Sequence, residues 1–581
     1  MGGTIGLDAL RAAATCGLSA TLEGLGVAAR LVRATLEGEW FGSPLHRALL
    51  GRRKPNGLSA RPRDFRPADP TQGFVILRGE FNLGRSAIQA GPDGDPWDRP
   101  SPTYRLAVAL HGYEWVPHLL TDRQQGAITA LRLHLQWRRL FGSWNDFSWS
   151  AAALERRVFN FACAIGPMAA GASDAEISAL ALDLSRQARH LLKITEHPER
   201  KTERAVAAAV AACALSGSAG DRLCRAAVGR LERLLPRTVL ADGTHVSRSP
   251  EAGLELLFDL LTLDEGLSQR GLETPSVVRG TIDRLSGALR FFTLGDGRLA
   301  CFQGGESVAA GRIAAALARD SSAPRSPVVA PQGCYQRLSG RGIMAMVDAG
   351  PPALGVYSVQ ACAQPFALEV VCGRDRLITN CGWSPHGGAP QAFRLADAAS
   401  TLAIADSSVG EPLSGLLAAL MGPRLAGAPR KVSARHHEGE EGVWLDLSHD
   451  GWGPRFGLRH TRRLFLDRVQ DQLRGEDRLE PLPGGGGKDK SGRPRYLPFT
   501  VRFHLYPDAR ASLARDQKSV LIRGRSNQGW WLRSDAPEVS VEPSAHFENG
   551  GGRRSTQVVL RGRARCDTGG RVRWKLAVAD T

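Results

Sequence analysis

The spacing of apolar residues changes once along this chain. From about residue 122 to 320 they return every three to four positions. In "SPEAGLELLFDLL" Leu254, Leu257, Phe258 and Leu261 stand at i, i+3, i+4 and i+7, and in the preceding segment Leu223, Ala227, Leu231 and Leu234 share one face. That spacing predicts amphipathic helices. Ser249 followed by Pro250 supplies the N-cap and first-turn proline that open the second of them. From about residue 325 the period falls to two: "FALEVV" (366–371), "VWLDL" (443–447), "TVRFHLYP" (500–507) and "RVRWKLAV" (571–578) read as half-buried antiparallel strands. In the last, Val572, Trp574, Leu576 and Val578 are predicted to face inward and Arg571, Arg573 and Lys575 outward.

A run of helices followed by a run of strands predicts two segregated domains, all-α then all-β. We divide the chain into a helical and extended wrapping segment (1–120), a helical domain (121–322) and a β domain (323–581). The wrapping segment holds Pro-rich stretches such as "RPRDFRPADPTQG". "PGGGGKDKSG" between two strands is predicted to be a mobile loop, and the Ala-rich N-terminal stretch, broken by Glu23, Arg30 and Arg33, an amphipathic helix. No apolar run approaches the length of a membrane span. No export signal is read, and Gly6 breaks a myristoylation pattern.

Composition adds little to the fold and more to the choice of partner. The 581 residues are 43% apolar and 23% charged, as in an ordinary globular protein. The formal charge of +17 produces a field that attracts nucleic acid, acidic polysaccharide or an anionic membrane, or simply marks an Arg-rich solvated surface. No nucleic-acid module is recognisable, so that partner ranks last. Ten scattered cysteines without a C-x-x-C pair read as reduced, buried thiols. Walker, dinucleotide, G-x-S-x-G and H-E-x-x-H motifs are all absent from the sequence.

The candidate chemistry sits in loops. "DGTHVSRSP" joins two helices and offers His245 as a proton acceptor or donor and Arg248 as an anion clamp beside a helix N-terminus; the alternative is a turn whose polar groups bond neighbouring backbone. "LSHDGW" places His449 beside Asp450 at a strand end, with His460 following in "RFGLRHTRR". "HHEGEE" (436–441) is either a metal ligand set or, more simply, a hairpin tip. His504 reads as a structural strand residue. "GSWNDFSWS" sets Trp144 near Asn145 and Asp146, a combination suited to a sugar ring and equally to burial against helices.

Taken in order, "LADGTHVSRSPEAGLELLFDLL", "LRFFTLGDGRLACFQGG", "GCYQRLSGRGIMAMVDAGPP", "FALEVVCGRDRLITNCG", "LSHDGWGPRFGLRHTRR" and "VRFHLYP" resemble the heparinase II/III family of polysaccharide lyases over roughly residues 120 to 560. The resemblance implies an α/α toroid followed by an antiparallel β-sandwich. It also implies β-elimination on an acidic, uronic-acid-containing polysaccharide, with Tyr and His carrying the proton transfers.

The family's catalytic pattern is degenerate here. Where members read S-P-x-Y-H, Glu251, Ala252 and Gly253 follow Ser249 and Pro250; where an N-H pair opens a helix, "PERKTERAV" places Arg200 and Lys201. Gln360 and Cys362 in "QACAQPF", Asn380 in "NCG" and Ala399 in "AASTL" stand where metal ligands and imidazoles are expected. The resemblance leaves room for a divalent metal such as zinc, but its expected ligands are mostly missing from this chain, so no cofactor is assigned. Two expectations follow: a lyase with altered groups (catalytic His245, Arg248 and His449; substrate-binding Trp144, Asn145, Arg394 and His460), or a catalytically inactive relative that binds or handles an envelope polysaccharide. The family's substrates imply the periplasm or cell envelope, while the unpaired cysteines and absent signal imply the cytoplasm.

Overall fold

A computed structural model describes residues 35–83, 86–319, 329–387, 389–484 and 495–579; most of the predicted N-terminal helix and of the "PGGGGKDKSG" loop lies outside them. Helices run Gln125–Phe141, Ala151–Ala169, Asp174–Leu191, Lys201–Cys213, Gly217–Thr238, Pro250–Gln269 and Ser276–Phe292. Lys201–Cys213 is the central one: every residue from Thr202 to Cys213 is buried, and it packs against the four helices Ala151–Ala169, Asp174–Leu191, Gly217–Thr238 and Pro250–Gln269. Its sequence, KTERAVAAAVAAC, suits that position, because small side chains let neighbouring backbones approach from all sides. The extended segment before the helices lies against them: Ser59 and Ala60 donate backbone hydrogen bonds to Ala214 and Cys213, and Arg66 reaches Glu255 at 2.8 Å and Asp259 at 2.7 Å.

After residue 329 the chain forms two large antiparallel sheets. One is built on Tyr496–Leu505, which pairs with Gly551–Arg565 on one side and with Asp375–Thr379 and Leu402–Ile404 on the other. The second runs in the order Val432–Glu438, Gly442–His449, Leu458–Asp467, Gln472–Pro481, Gly570–Val578, Gly529–Ser534, Ser519–Arg523 and Arg510–Leu513. Leu445, Leu464, Leu473, Val501, Phe503, Leu560, Val572 and Trp574 fill the space between them. Val572, Trp574 and Leu576 face inward as the alternation predicts, whereas Val578 at the strand end is 43% exposed. "FALEVV" departs from expectation: Leu368–Cys372 is buried on both faces, because helical-domain loops cover its outer side. There Glu369 accepts a hydrogen bond from the Cys301 amide at 3.1 Å.

Two buried guanidiniums tie the helical part to the sheets. Arg376, on Asp375–Thr379, grips Asp296 through Nε at 2.9 Å and Nη2 at 3.0 Å. Arg248, from the loop after Gly217–Thr238, donates to the carbonyls of Gly333 at 2.9 Å and Pro351 at 2.8 Å and forms an ion pair with Asp348. Its guanidinium lies 4.8 Å over the Tyr335 ring, and the Tyr335 hydroxyl donates to the Arg248 carbonyl at 2.7 Å. Removing one partner of such a pair strands the other in a medium that solvates it poorly. Arg248→Met is expected to cost about 3–5 kcal/mol of stability, read as a shift in the urea midpoint, with part of the loss recovered when Asp348→Asn is added.

Imidazoles are also buried throughout. Burial, before any other cause, pulls His111, His190, His245 and His504 down to about 3, and His46 and His546 to about 4. In the unfolded chain they titrate near 6.5. Between the folded and unfolded values the unfolded state holds more protons, so this contribution is complete above about pH 6.5 and is lost as pH falls, at about 1.4 kcal/mol per pH unit for each fully neutral group. Urea midpoints are therefore expected to fall steeply from pH 7 to pH 5. A flat profile would mean that these imidazoles are hydrated.

Candidate functional site

The loop from Val239 to Ser249 is a tight, internally bonded turn. Leu240 donates to the Thr244 carbonyl at 2.9 Å, and Asp242 accepts from the Thr244 amide at 3.0 Å. Gly243 turns the chain at φ +84°, where a Cβ would stand 2.0 Å from the Arg284 carbonyl oxygen. Arg248 is also left-handed, at φ +66°. Ser249 then caps Pro250–Gln269 by accepting from the Ala252 amide at 3.3 Å, as the sequence predicts.

His245 is buried. Its Nδ1 accepts from the Ser247 amide at 3.2 Å and lies 2.7 Å from the Ser247 hydroxyl, which leaves the proton on Nε2, 3.9 Å from Glu203. Burial and then the charge of Arg200 keep the ring neutral. Arg248 does not present itself to a uronate: Asp348 and backbone carbonyls take its Nε, Nη1 and Nη2 donors. The expected catalytic imidazole and anion clamp are therefore inside the wall of the cleft.

Three further residues read as site groups also lie in the interior. His460 bridges His449 at 3.3 Å and Asp477 at 2.9 Å, and Asp477 also receives Arg462 at 2.7 Å and the Trp574 indole at 3.0 Å. This network sits within the β-sandwich with no exposed member. Arg394 is fully buried and donates to the carbonyls of Ala361, Ser358 and Pro423 at 2.8, 2.9 and 2.6 Å. His449, His460 and Arg394 are thus buried with internal partners, as buried polar groups require. Trp144 and Asn145 are half-buried: Trp144 packs near Phe41, with ring centroids 6.4 Å apart, and Asn145 closes its own turn through Ser148 at 2.6 and 2.8 Å.

A different set of charged groups gathers where the helices face the loop that carries His386. Arg200, at the start of the central helix, forms ion pairs with Glu155 and, at 3.4 Å, with Glu203. Arg312 meets Glu255 at 2.5 Å, and Arg156 meets Asp259 at 3.1 Å. Glu251 accepts from the Glu306 amide at 2.9 Å; burial, with Glu255 and Glu306 nearby, pushes its carboxyl up to about 8. His386 and Glu114 are open to solvent, with charged side chains of the helical part close by. Burial and then Arg200 pull His386 down to about 4. Burial raises Glu114 against the pull of Arg156 and Arg105. Sequence reasoning missed both: "SPHGG" and "GYEW" carry neither periodicity nor motif, and only tertiary placement marks them.

The positions where the family's metal ligands are expected do not fit a metal. Gln303 bonds both the Cys362 amide at 3.0 Å and its carbonyl at 3.3 Å. Asn380 spends its amide on the Cys301 carbonyl and the Ser400 amide, both at 3.0 Å. Among the described residues no three His, Cys, Asp or Glu converge as a metal site. In "HHEGEE", His436 lies on the edge strand Val432–Glu438, 3.0 Å from Gln336, and Glu438 pairs with Arg468.

Residues 322–575 match the model of the heparinase II/III-like C-terminal domain. The chain is similar to FtsZ-localized protein C of Caulobacter vibrioides (strain NA1000 / CB15N), with 54% identity over 559 residues, 96% of this chain and 97% of that one. Among solved structures it superposes on heparinase III with a TM-score of 0.69 at 11% identity, covering 92% of this chain and 89% of that one. A mutant of the heparan sulfate lyase HepC from Pedobacter heparinus gives a TM-score of 0.58 at 15% identity, covering 92% and 87%. These two likenesses speak for the fold, a helical toroid followed by an antiparallel β-sandwich. The chain belongs to the heparinase II/III-like family.

Proposed function

We propose that this chain is a heparinase-fold protein without the family's elimination chemistry, and that it acts as a binding component alongside FtsZ in the cytoplasm. The observation that carries this reading is the state of the cleft. β-Elimination needs a cation free to neutralise the uronate carboxylate, a base within hydrogen-bond reach of the α-proton and an acid for the leaving oxygen. Here Arg200 is held by Glu155 and Glu203, His245 is enclosed, and Ala252 and Gly253 replace the tyrosine and histidine of the loop. An entering carboxylate would have to displace two resident ones. The name of the 54%-identical relative supports the association with FtsZ, and the nine described cysteines, all unpaired, support a reducing compartment.

A second reading, elimination or glycan binding at the same cleft, draws on His386, a neutral imidazole open to solvent close to Arg200. One pair of measurements separates the two. Purified protein incubated with a panel of uronic-acid polysaccharides is expected to produce no rise in the ultraviolet absorbance of unsaturated uronate, while crosslinking and pelleting with purified FtsZ recover a complex. A rise in absorbance abolished by His386→Ala or Arg200→Ala would overturn the non-catalytic reading. Absence of any complex with FtsZ would overturn the association.

A further inference from the structure

The outer face of the eight-stranded sheet carries a row of side chains that the fold does not balance. Strand register aligns His437, Trp444, Phe465, Arg474, Lys575 and Arg533 directly across six strands. The neighbouring row alternates in sign: Arg463 pairs with Asp446 at 2.9 Å and Arg573 with Glu476 at 2.7 Å. In the first row, by contrast, three cations stand side by side. Arg474 has Asp467 at 3.3 Å and lies 5.8 Å over the Phe465 ring, and Arg533 lies 5.6 Å over the Trp531 ring, but neither Lys575 nor Arg533 forms an ion pair with a described residue. Like charges directly opposite on adjacent strands are destabilising, so this row weakens the sheet that carries it.

At the other end of the row Trp444 is 48% exposed and stacks on Phe465 with centroids 4.2 Å apart and planes 25° apart. Val469 beside them is 70% exposed. These residues line a groove of about 1060 Å³ that also contains Glu441, Asp467, Glu476 and Asp535. We propose that this groove is a docking site for a short acidic peptide segment of a partner protein, its carboxylates on Lys575 and Arg533 and an apolar side chain on the Trp444–Phe465 pair. The four carboxylates in the groove favour a peptide over nucleic acid, polyuronate or an anionic membrane, because a continuous polyanion would be driven against them, whereas a peptide places its charges one by one. A row of six strands about 4.8 Å apart measures roughly 24 Å, the reach of about seven extended residues. The inference is independent of the reading of the cleft.

The test uses the full chain and a fluorescein-labelled peptide of about seven residues alternating glutamate with leucine, followed by anisotropy. Its glutamine isomer, a short single-stranded oligonucleotide, oligogalacturonate and vesicles containing anionic lipid serve as competitors. The acidic peptide is expected to bind, to weaken with added salt, and to lose roughly tenfold or more in affinity with Lys575→Gln plus Arg533→Gln or with Trp444→Ala. Melting curves of every variant, Trp444→Ala included, are expected to stay close to that of the parent, which separates lost binding from misfolding. Absence of binding, binding indifferent to these substitutions, or preference for the oligonucleotide, the galacturonate or the vesicles would overturn the proposal.

Discussion

The contact between Arg248 and Asp348 is the constraint on which the two-part architecture turns. Arg248 comes from a loop of the helical toroid and Asp348 from the end of a sandwich strand, a hundred residues later. Satisfying the guanidinium takes the carbonyls of Gly333 and Pro351, the face of Tyr335 and a backbone twist to φ +66°. Asp348 in turn holds Gln303 at 2.7 Å, and Gln303 grips both backbone groups of Cys362. Gly350 has no room for a side chain, since a Cβ would lie 2.4 Å from that of Cys334 and 2.8 Å from Arg248 Nη2. A buried cation with this many obligations is fixed in place, because releasing any one group leaves it unsatisfied in a medium where that is costly. The loop that carries His245 is fixed with it.

That rigidity bears on the cleft. The loop ending at Ser249 and the first turn of Pro250–Gln269 are where members of this family present their proton-transfer groups. Here the same backbone presents Glu251, held by the Glu306 amide, and the neighbouring positions carry ion pairs. Arg156, Arg200 and Arg312 there each already have a carboxylate. A site arranged in this way is stable when empty, whereas a site built to neutralise a substrate carboxylate keeps a cation waiting. The outer face of the eight-stranded sheet differs, with Lys575 and Arg533 adjacent and neither in an ion pair with a described residue.

What was legible in the sequence follows from what is local. The helix from Pro250, its Ser249 cap and the alternation of Val572, Trp574 and Leu576 depend on neighbours three or four positions away, or two, and the structure has them as read. The division into helices and then sheets is a sum of such local signals. The roles of individual polar residues are not local. His449, His460 and Arg394 have the residue types of a binding site, but their partners lie across the sheet or in distant loops: His460 meets Asp477, and Arg394 meets Ser358 and Pro423. Only the partner distinguishes a buried, satisfied histidine from a free one. His386 fails in the other direction: a Pro-His-Gly loop looks like an ordinary turn, and the charged groups close to it, Arg200 and Arg156 among them, come from helices far earlier in the chain.

The formal charge of +17 can be placed by the same reasoning. In the helical core Arg66, Arg156, Arg200 and Arg312 are matched by Asp259, Glu155, Glu203 and Glu255, whereas the buried Arg157 and Arg204 are held by Gln187 and by the carbonyls of His111 and His197. Water and salt reduce the field of the surface charges beyond about a Debye length. Such a field acts on partners at short range and with local geometry, through individual rows of side chains. A cation row next to the exposed Trp444 stacked on Phe465 selects for a ligand that brings both charge and apolar contact within a few residues. A general attraction for polyanions would need neither the register of those strands nor the stacked rings.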